Sequence, residues 1–233
     1  MNNTIHNILF SPFFGIVLSL ATYLIGKYLF QKTKSIFCNP LLIGIILSIT
    51  FLMTLNIPFE AYDKGGTILK MLISPIESII IGIALYEQIQ ILKKNWFPIV
   101  VSTVVGSAFA ITIVFILGKF SKLSSDLFYA TLPKSVTTAI ALDIGSKFGW
   151  DSSLITMMTV TTGVIGAVIA PFVVKFIKSP VAKGLGIGTA SHAVGTAKAI
   201  EMGEIEGAMS GLALSLAAIS TSFVIPILLL LIN

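Results

Sequence analysis

Eight apolar blocks separated by short polar joints narrow the folds open to this chain more than any other feature. They run roughly Ile8–Phe30, Pro40–Ile57, Ile68–Leu92, Phe97–Leu117, Leu127–Ile144, Ser153–Ile177, Gly184–Met202 and Gly207–Ile232. A bilayer's hydrocarbon core takes about 20 apolar residues of helix to cross, and most of these blocks are near that length. Only 11% of the 233 residues are charged, and the mean hydropathy is +0.99. Soluble domains carry roughly 25% charged residues, so this chain lacks the polar surface to face water. The expected fold class is all-α: a polytopic integral membrane protein with about seven to nine membrane segments. Residues 1–233 are expected to form a single transmembrane domain, with no room for a separate soluble one.

Three blocks are poor as plain spans, because proline lacks a backbone donor and glycine weakens a helix. Ile68–Leu92 contains Pro75, Glu77, Gly82 and Glu87; Leu127–Ile144 contains Pro133 and Lys134; Gly184–Met202 opens on Gly184, Gly186 and Gly188. Each is expected to be an interrupted or re-entrant helix, with Pro75, Pro133, Gly186, Gly188 and Gly195 as the breaks. Unwound backbone at membrane depth is tolerated where it lines a cavity or is buried in protein. An interrupted block followed by a plain span occurs at Ile68–Leu117 and again at Gly184–Ile232. This suggests inverted repeats, with candidate halves 1–119 and 120–233, and paired interrupted segments point to a transporter's binding site.

The net charge of +5 is topological information rather than a sign of nucleic-acid binding. If the clusters Lys27/Lys32/Lys34, Lys93/Lys94 and Lys175/Lys178/Lys183 all face the cytoplasm, the N-terminus and Glu201, Glu204 and Glu206 lie outside. One block must then return to its own side, and the Pro133 block is the candidate. The run Ile8–Phe30 does not read as a signal peptide, since its lysines follow it. Cys38 is the lone cysteine, which excludes an internal disulfide and a cysteine-rich metal site.

Two constellations carry candidate chemistry. In the stretch Gly184–Lys198, Thr189, Ser191, His192 and Thr196 sit among glycines. No strand precedes it, so a phosphate loop is excluded. Two readings stand: close helix packing through small residues, or a broken helix whose free N–H groups and hydroxyls face an anion. His192 either carries a coupling proton or satisfies backbone groups at the break; Glu77 is the other candidate for proton coupling. In the second constellation, Pro133 is expected in the first turn of a helix, clustering Lys134, Ser135, Thr137 and Thr138 at its positive start. Lys198 pairs with a substrate carboxylate or with Glu201 or Glu204. Gly203, Gly207 and Gly211 form a stripe for close helix packing, internal or with a second subunit. No nucleophile–base triad and no metal-ligand cluster is present in the sequence, so neither an enzyme, a metal nor a cofactor is expected.

At these residues the chain resembles a known family. Asn39-Pro40-Leu41-Leu42, Pro75 with Leu85-Tyr86-Glu87-Gln88, Pro133–Thr138 and Gly188–Thr196 together look like the LrgB/CidB family, from about Asn39 to Ile232. That family includes antiholin-like bacterial membrane proteins and the plastid glycolate/glycerate translocator. Departures are Ala84 and Ala139, where the family usually has prolines, and Lys198, where it has an arginine able to grip a carboxylate with two parallel bonds.

The resemblance implies two activities. One is secondary transport of small monocarboxylates (glycolate, glycerate, lactate, pyruvate), with substrate held by Lys134, Ser135, Thr137, Thr138, Thr189, Ser191, His192 and Thr196. The other is antiholin-like regulation of murein hydrolase export and cell lysis alongside a small holin-like partner. Transport is the leading expectation and regulation the alternative. A pore is weaker, for lack of a charge ring or filter motif. Membrane lipid, a small carboxylate and a homo-oligomer, a dimer foremost, are the expected partners, with no nucleic acid. The expected location is the bacterial inner (plasma) membrane, as a multi-pass protein.

Overall fold

A computed structural model describes residues 3–33, 38–87 and 89–231, with the side chains at 3–5, 70, 72–78, 80–82, 84, 85, 87 and 92 outside the description. Among the described residues every regular element is helical: α1 (Asn3–Leu9), α2 (Pro12–Thr33), α3 (Pro40–Thr54), α4 (Phe59–Glu87), α5 (Ile89–Phe120), α6 (Ser125–Thr131), α7 (Thr138–Phe148), α8 (Ser152–Val173), α9 (Pro180–Met202) and α10 (Glu204–Leu230). Local chemistry sets several starts. Asn39 accepts hydrogen bonds from the Leu41 and Leu42 amides at 2.9 and 3.4 Å, with Pro40 in the first turn of α3. Asp151 and Ser179 cap α8 and α9 in the same way.

Among the described residues four helices are long and apolar enough to cross a membrane: Pro12–Thr33, Lys93–Phe120, Ser152–Phe176 and Glu204–Leu230, with Pro40–Thr54 apolar but shorter. Length and hydropathy therefore single out fewer segments than the seven to nine expected. The blocks around Pro133 and Gly184 fall short because one is split between two short helices and the other is diluted by small and polar residues.

The chain divides into two compact units, Met1–Ile80 and Ile81–Asn233. In the first, α2 and α3 pack through small residues. Thr22 Oγ1 meets Ser48 Oγ at 3.0 Å, and Gly26 admits the backbone of Pro40. Ser19 Oγ meets the Tyr62 hydroxyl at 2.9 Å, tying α2 to the start of α4. The helix α4 runs from Phe59 to Glu87. The side chains of Pro75 and Glu77, an expected break and an expected proton carrier, lie outside the described residues.

The second unit contains two helical hairpins. In the first, α6 leads into residues 132–137 and the chain returns along α7. The 11-residue α7 is about 16 Å long. The Tyr129 ring nevertheless stacks on Trp150, beyond the far end of α7, with centroids 5.5 Å apart, so the chain doubles back. Pro133 does not sit in the first turn of a helix as expected. It lies in the tip, where its carbonyl accepts from Val136, and the helix begins five residues later at Thr138 after the N-cap Thr137.

The second hairpin is α9 itself. Its backbone leaves helical geometry at Ser191 (φ −133°, ψ 15°) and His192 (φ 42°, ψ −142°). This divides it into α9a (residues 180–190) and α9b (residues 193–202). A Cβ placed on Gly195 would lie 3.1 Å from Ile187 Cγ2, although eight residues of straight helix span about 12 Å. Lys183 Nζ, near the start of α9a, lies 4.0 Å from Glu206 Oε1, beyond the end of α9b. Ile187 and Ala199 share one buried cluster with Ala170 and Val174 of the α8 region. Helix α10 receives both arms. Gly184 and Gly188 of α9a press on the Glu206 and Ser210 carbonyls, while Thr196 of α9b meets Ser210 and Ile200 meets Gly207. Rising numbers on α9a meet rising numbers on α10, and rising numbers on α9b meet falling ones, so the arms run in opposite directions.

These contacts revise three expectations. The break falls at Ser191–His192, whereas Gly186, Gly188 and Gly195 lie within helical turns. Gly203 is the extended joint between α9 and α10 rather than part of a helical stripe, and Gly207 packs on Ile200 within the same chain. The Lys183–Glu206 contact places the acidic joint at the same end of the unit as the lysines that precede α9, not the opposite one.

The first hairpin is anchored at the N-terminal end of α8, three residues after α7, and the second at its C-terminal end, through the turn Val174–Phe176. A hairpin followed by a long helix thus occurs twice, at 125–176 and at 180–230.

Candidate functional site

Both hairpin tips pack on α8, the first through Val136 against Ile155 and the second against the Thr159–Gly166 stretch that follows. Thr159, Gly163 and Gly166 lie on one face of that helix, at spacings of four and three residues. The Thr159 carbonyl accepts a 2.9 Å hydrogen bond from His192 Nε2, which fixes the proton on that nitrogen in the neutral ring. A Cβ on Gly163 would lie 2.5 Å from His192 Cε1, and one on Gly166 would collide with Ser191 Oγ. Glycine at both positions is what lets the broken segment of α9 lie flat on α8.

His192 is only 3% exposed and holds a positive φ of 42°, a region unfavourable to a side chain. Three bonds hold it there. Besides the imidazole bond, its carbonyl accepts from Thr196 Oγ1 at 2.9 Å. Because that proton is spent, Ser210 must donate its own to Thr196 across a further 2.9 Å. The break is therefore tied to α8 through the imidazole and to α10 through a buried hydroxyl pair.

The first tip carries Lys134, half-buried, beside Val136, which clusters with Ile155 of α8 one turn before Thr159. Ser135, Thr137 and Thr138 accompany it, half-buried, and the Thr137 hydroxyl makes no capping bond. The N-terminal amides of α7 and of α9b both begin at these tips, and a helix start carries partial positive charge. Among the described residues no group of three or more His, Cys, Asp or Glu side chains is placed to hold a metal ion. The two tips therefore carry a lysine, two helix starts and hydroxyls, a set suited to a small anion rather than a metal.

The expected site residues separate into two groups. Lys134 and His192 both sit on hairpin tips that pack along α8, while Thr189 and Thr196 spend their hydroxyls on the Leu185 and His192 carbonyls. Ser191 is buried against Gly166. Lys198 pairs with Glu201 at 2.7 Å, on the exposed side of α9b. Thr159, Gly163, Gly166 and Ser210 were not anticipated. For the three on α8 the signal was their small-residue spacing, which reads as ordinary helix packing until a partner is known, and Ser210 on α10 had none.

Comparison with known proteins matches this arrangement to one family. The LrgB-like family profile matches residues 19–231. The chain is 39% identical over 220 residues to the "Antiholin-like protein LrgB" of Bacillus subtilis (strain 168), covering 93% of this chain and 95% of that one. It is 39% identical over 219 residues, with the same coverage, to the protein of that name in Bacillus cereus (strain B4264) and in Bacillus anthracis (strain CDC 684 / NRRL 3495). No solved structure matches the chain. With its apolar helices and a match running almost end to end, this membrane protein belongs to the LrgB-like family.

Proposed function

We propose that this chain acts as an antiholin-like protein of the bacterial plasma membrane, restraining murein hydrolase export and lysis together with a small holin-like membrane partner. The near full-length match to relatives of that name carries this reading, which takes precedence over the transport that led the expectations. Deleting the gene in its host should raise hydrolase activity in the culture medium and speed lysis at stationary phase. Unchanged export and lysis would overturn the reading.

The packing of two hairpin tips on one helix favours a second reading, transport of a small monocarboxylate. Substrate would bind where Lys134, Thr137, Thr138 and the start of α9b converge. Hairpins entering from opposite ends of a helix to a central anion site are a geometry suited to alternating access. The membrane arrangement supporting it has α2, α3, α4, α5, α8 and α10 as spans, with α6–α7 and α9 as re-entrant hairpins. Threading the chain this way brings all three lysine clusters to one face, which simple alternation does not, and it puts Glu201, Glu204 and Glu206 on that same face. Saturable uptake of glycolate, lactate or pyruvate into liposomes containing the purified protein, reduced by Lys134→Gln, is the expected result; its absence for all three removes this reading and leaves the first standing.

A further inference from the structure

Helix α5 turns one face toward the groove between α9a and α10. Ile99 of that face is 1% exposed and clusters with Ala208 and Met209 of α10, with Leu185 of α9a packed against it. Seven residues on, a Cβ at Gly106 would sit 3.5 Å from Thr189 Cγ2. The face therefore follows α9a toward the point where that helix ends at Ser191.

On this face Thr103 is 1% exposed and Ser107 4% exposed. Neither hydroxyl has a hydrogen-bond partner, and they are the two buried side-chain polar atoms left so among the described residues. Other buried hydroxyls bond back to the carbonyl four residues earlier, as those of Thr22, Thr159 and Thr196 do. Burying a hydroxyl without a partner is costly, and two such groups one helical turn apart in the same groove call for an occupant.

We propose that Thr103 Oγ1 and Ser107 Oγ, with the carbonyl end of α9a, form a binding site for a monovalent cation. The last carbonyls of a helix lack intrahelical donors and carry partial negative charge, which repels an anion and attracts a cation. The stretch Phe97–Gly118 contains no Asp or Glu, so a divalent ion would find neutral oxygens only. A singly charged ion is satisfied by hydroxyl and carbonyl oxygens, as at other broken membrane helices. The α9 break would then offer its two ends to opposite charges, a cation at the end of α9a and an anion at the start of α9b. The cation site depends on neither functional reading.

The test uses the purified full chain in detergent, melted over a NaCl or KCl series held at constant ionic strength with N-methyl-D-glucamine chloride. A saturable rise in Tm of about 3–6 °C at ten times Kd is expected for one of the two salts. The rise should vanish in the Thr103→Val/Ser107→Ala variant. That variant should melt no lower than wild type in N-methyl-D-glucamine chloride, since it removes two unpaired hydroxyls. Equal melting of wild type in all three salts, or a rise that persists in the double variant, overturns the proposal. Calorimetric titration of wild type with NaCl and KCl tests the site without a variant: saturable heat supports it, and the absence of heat in both salts refutes it.

Discussion

Replacing Gly163 with alanine tests the contact on which the second hairpin rests. The new Cβ would lie 2.5 Å from His192 Cε1, 2.7 Å from its Nε2 and 3.0 Å from Val194 Cβ. Carbon atoms pack at about 3.5–4.0 Å, so α8 and the α9 break must separate by about 1 Å or the ring must swing. The ring has nowhere to swing without giving up its bond to the Thr159 carbonyl, in a site where it is 3% exposed. Overpacking of this kind costs about 1–3 kcal/mol. Leaving the imidazole and the carbonyl unpaired adds about 1–3 kcal/mol, against which alanine's better helix propensity returns about 1 kcal/mol. The net is a loss of about 3 kcal/mol, or about 6–12 °C in Tm for a chain of this size. Gly186→Ala is the control, because a Cβ there meets nothing within 4 Å. It should hold or slightly raise the melting temperature. Thermal unfolding of both variants in one detergent makes the comparison. If Gly163→Ala melts within about 1 °C of wild type, or if both variants lose equally, the packing of His192 on α8 is not what orders the hairpin.

Three further outcomes follow from the same contacts. Cysteines at Lys183 and Glu206, in a Cys38→Ser background, should be joined by a short bifunctional thiol reagent, because the native side chains meet at 4.0 Å. A straight α9 would hold Lys183 about 30 Å from Gly203, and no cross-link would form. Thr196→Val removes the hydroxyl shared by the His192 carbonyl and Ser210, and should cost about 1–3 kcal/mol by denaturant or thermal unfolding, with Val matching the lost shape. Lys134→Gln should leave the melting temperature near that of wild type while weakening monocarboxylate uptake about tenfold or more, the loss of one charge-assisted hydrogen bond, read from initial rates in liposomes.

Some of the site is open to reading from residue types. Lys134, Ser191 and His192 are polar groups that a lipid-facing helix does not need, and Glu201 is one of the three partners that the sequence left open for Lys198. The position of the break is not. Glycines mark where a helix is weak, and Gly186 and Gly188 are the natural candidates. Both stay helical, Gly188 because it lets α9a rest on the Ser210 carbonyl. His192 takes the left-handed backbone instead, because Thr159, Thr196 and Ser210 supply bonds that offset the strain. Those three residues are far from it in sequence or look like ordinary core, so no local signal joins them.

Composition and the spacing of the apolar blocks determined that this chain is a helical membrane protein, and local cap chemistry at Asn39-Pro40 placed the start of α3. Only the tertiary structure decided the direction of the chain after residue 192. Apolar content is the same whether a 23-residue segment crosses in a straight line or folds back on itself. What separates the two is contact: Ile187 on Gly195, Lys183 near Glu206, and glycines on α8 and α9 thin enough for the arms to close. Those contacts carry the free energy of the reversal, and they exist only once α8 and α10 are in place.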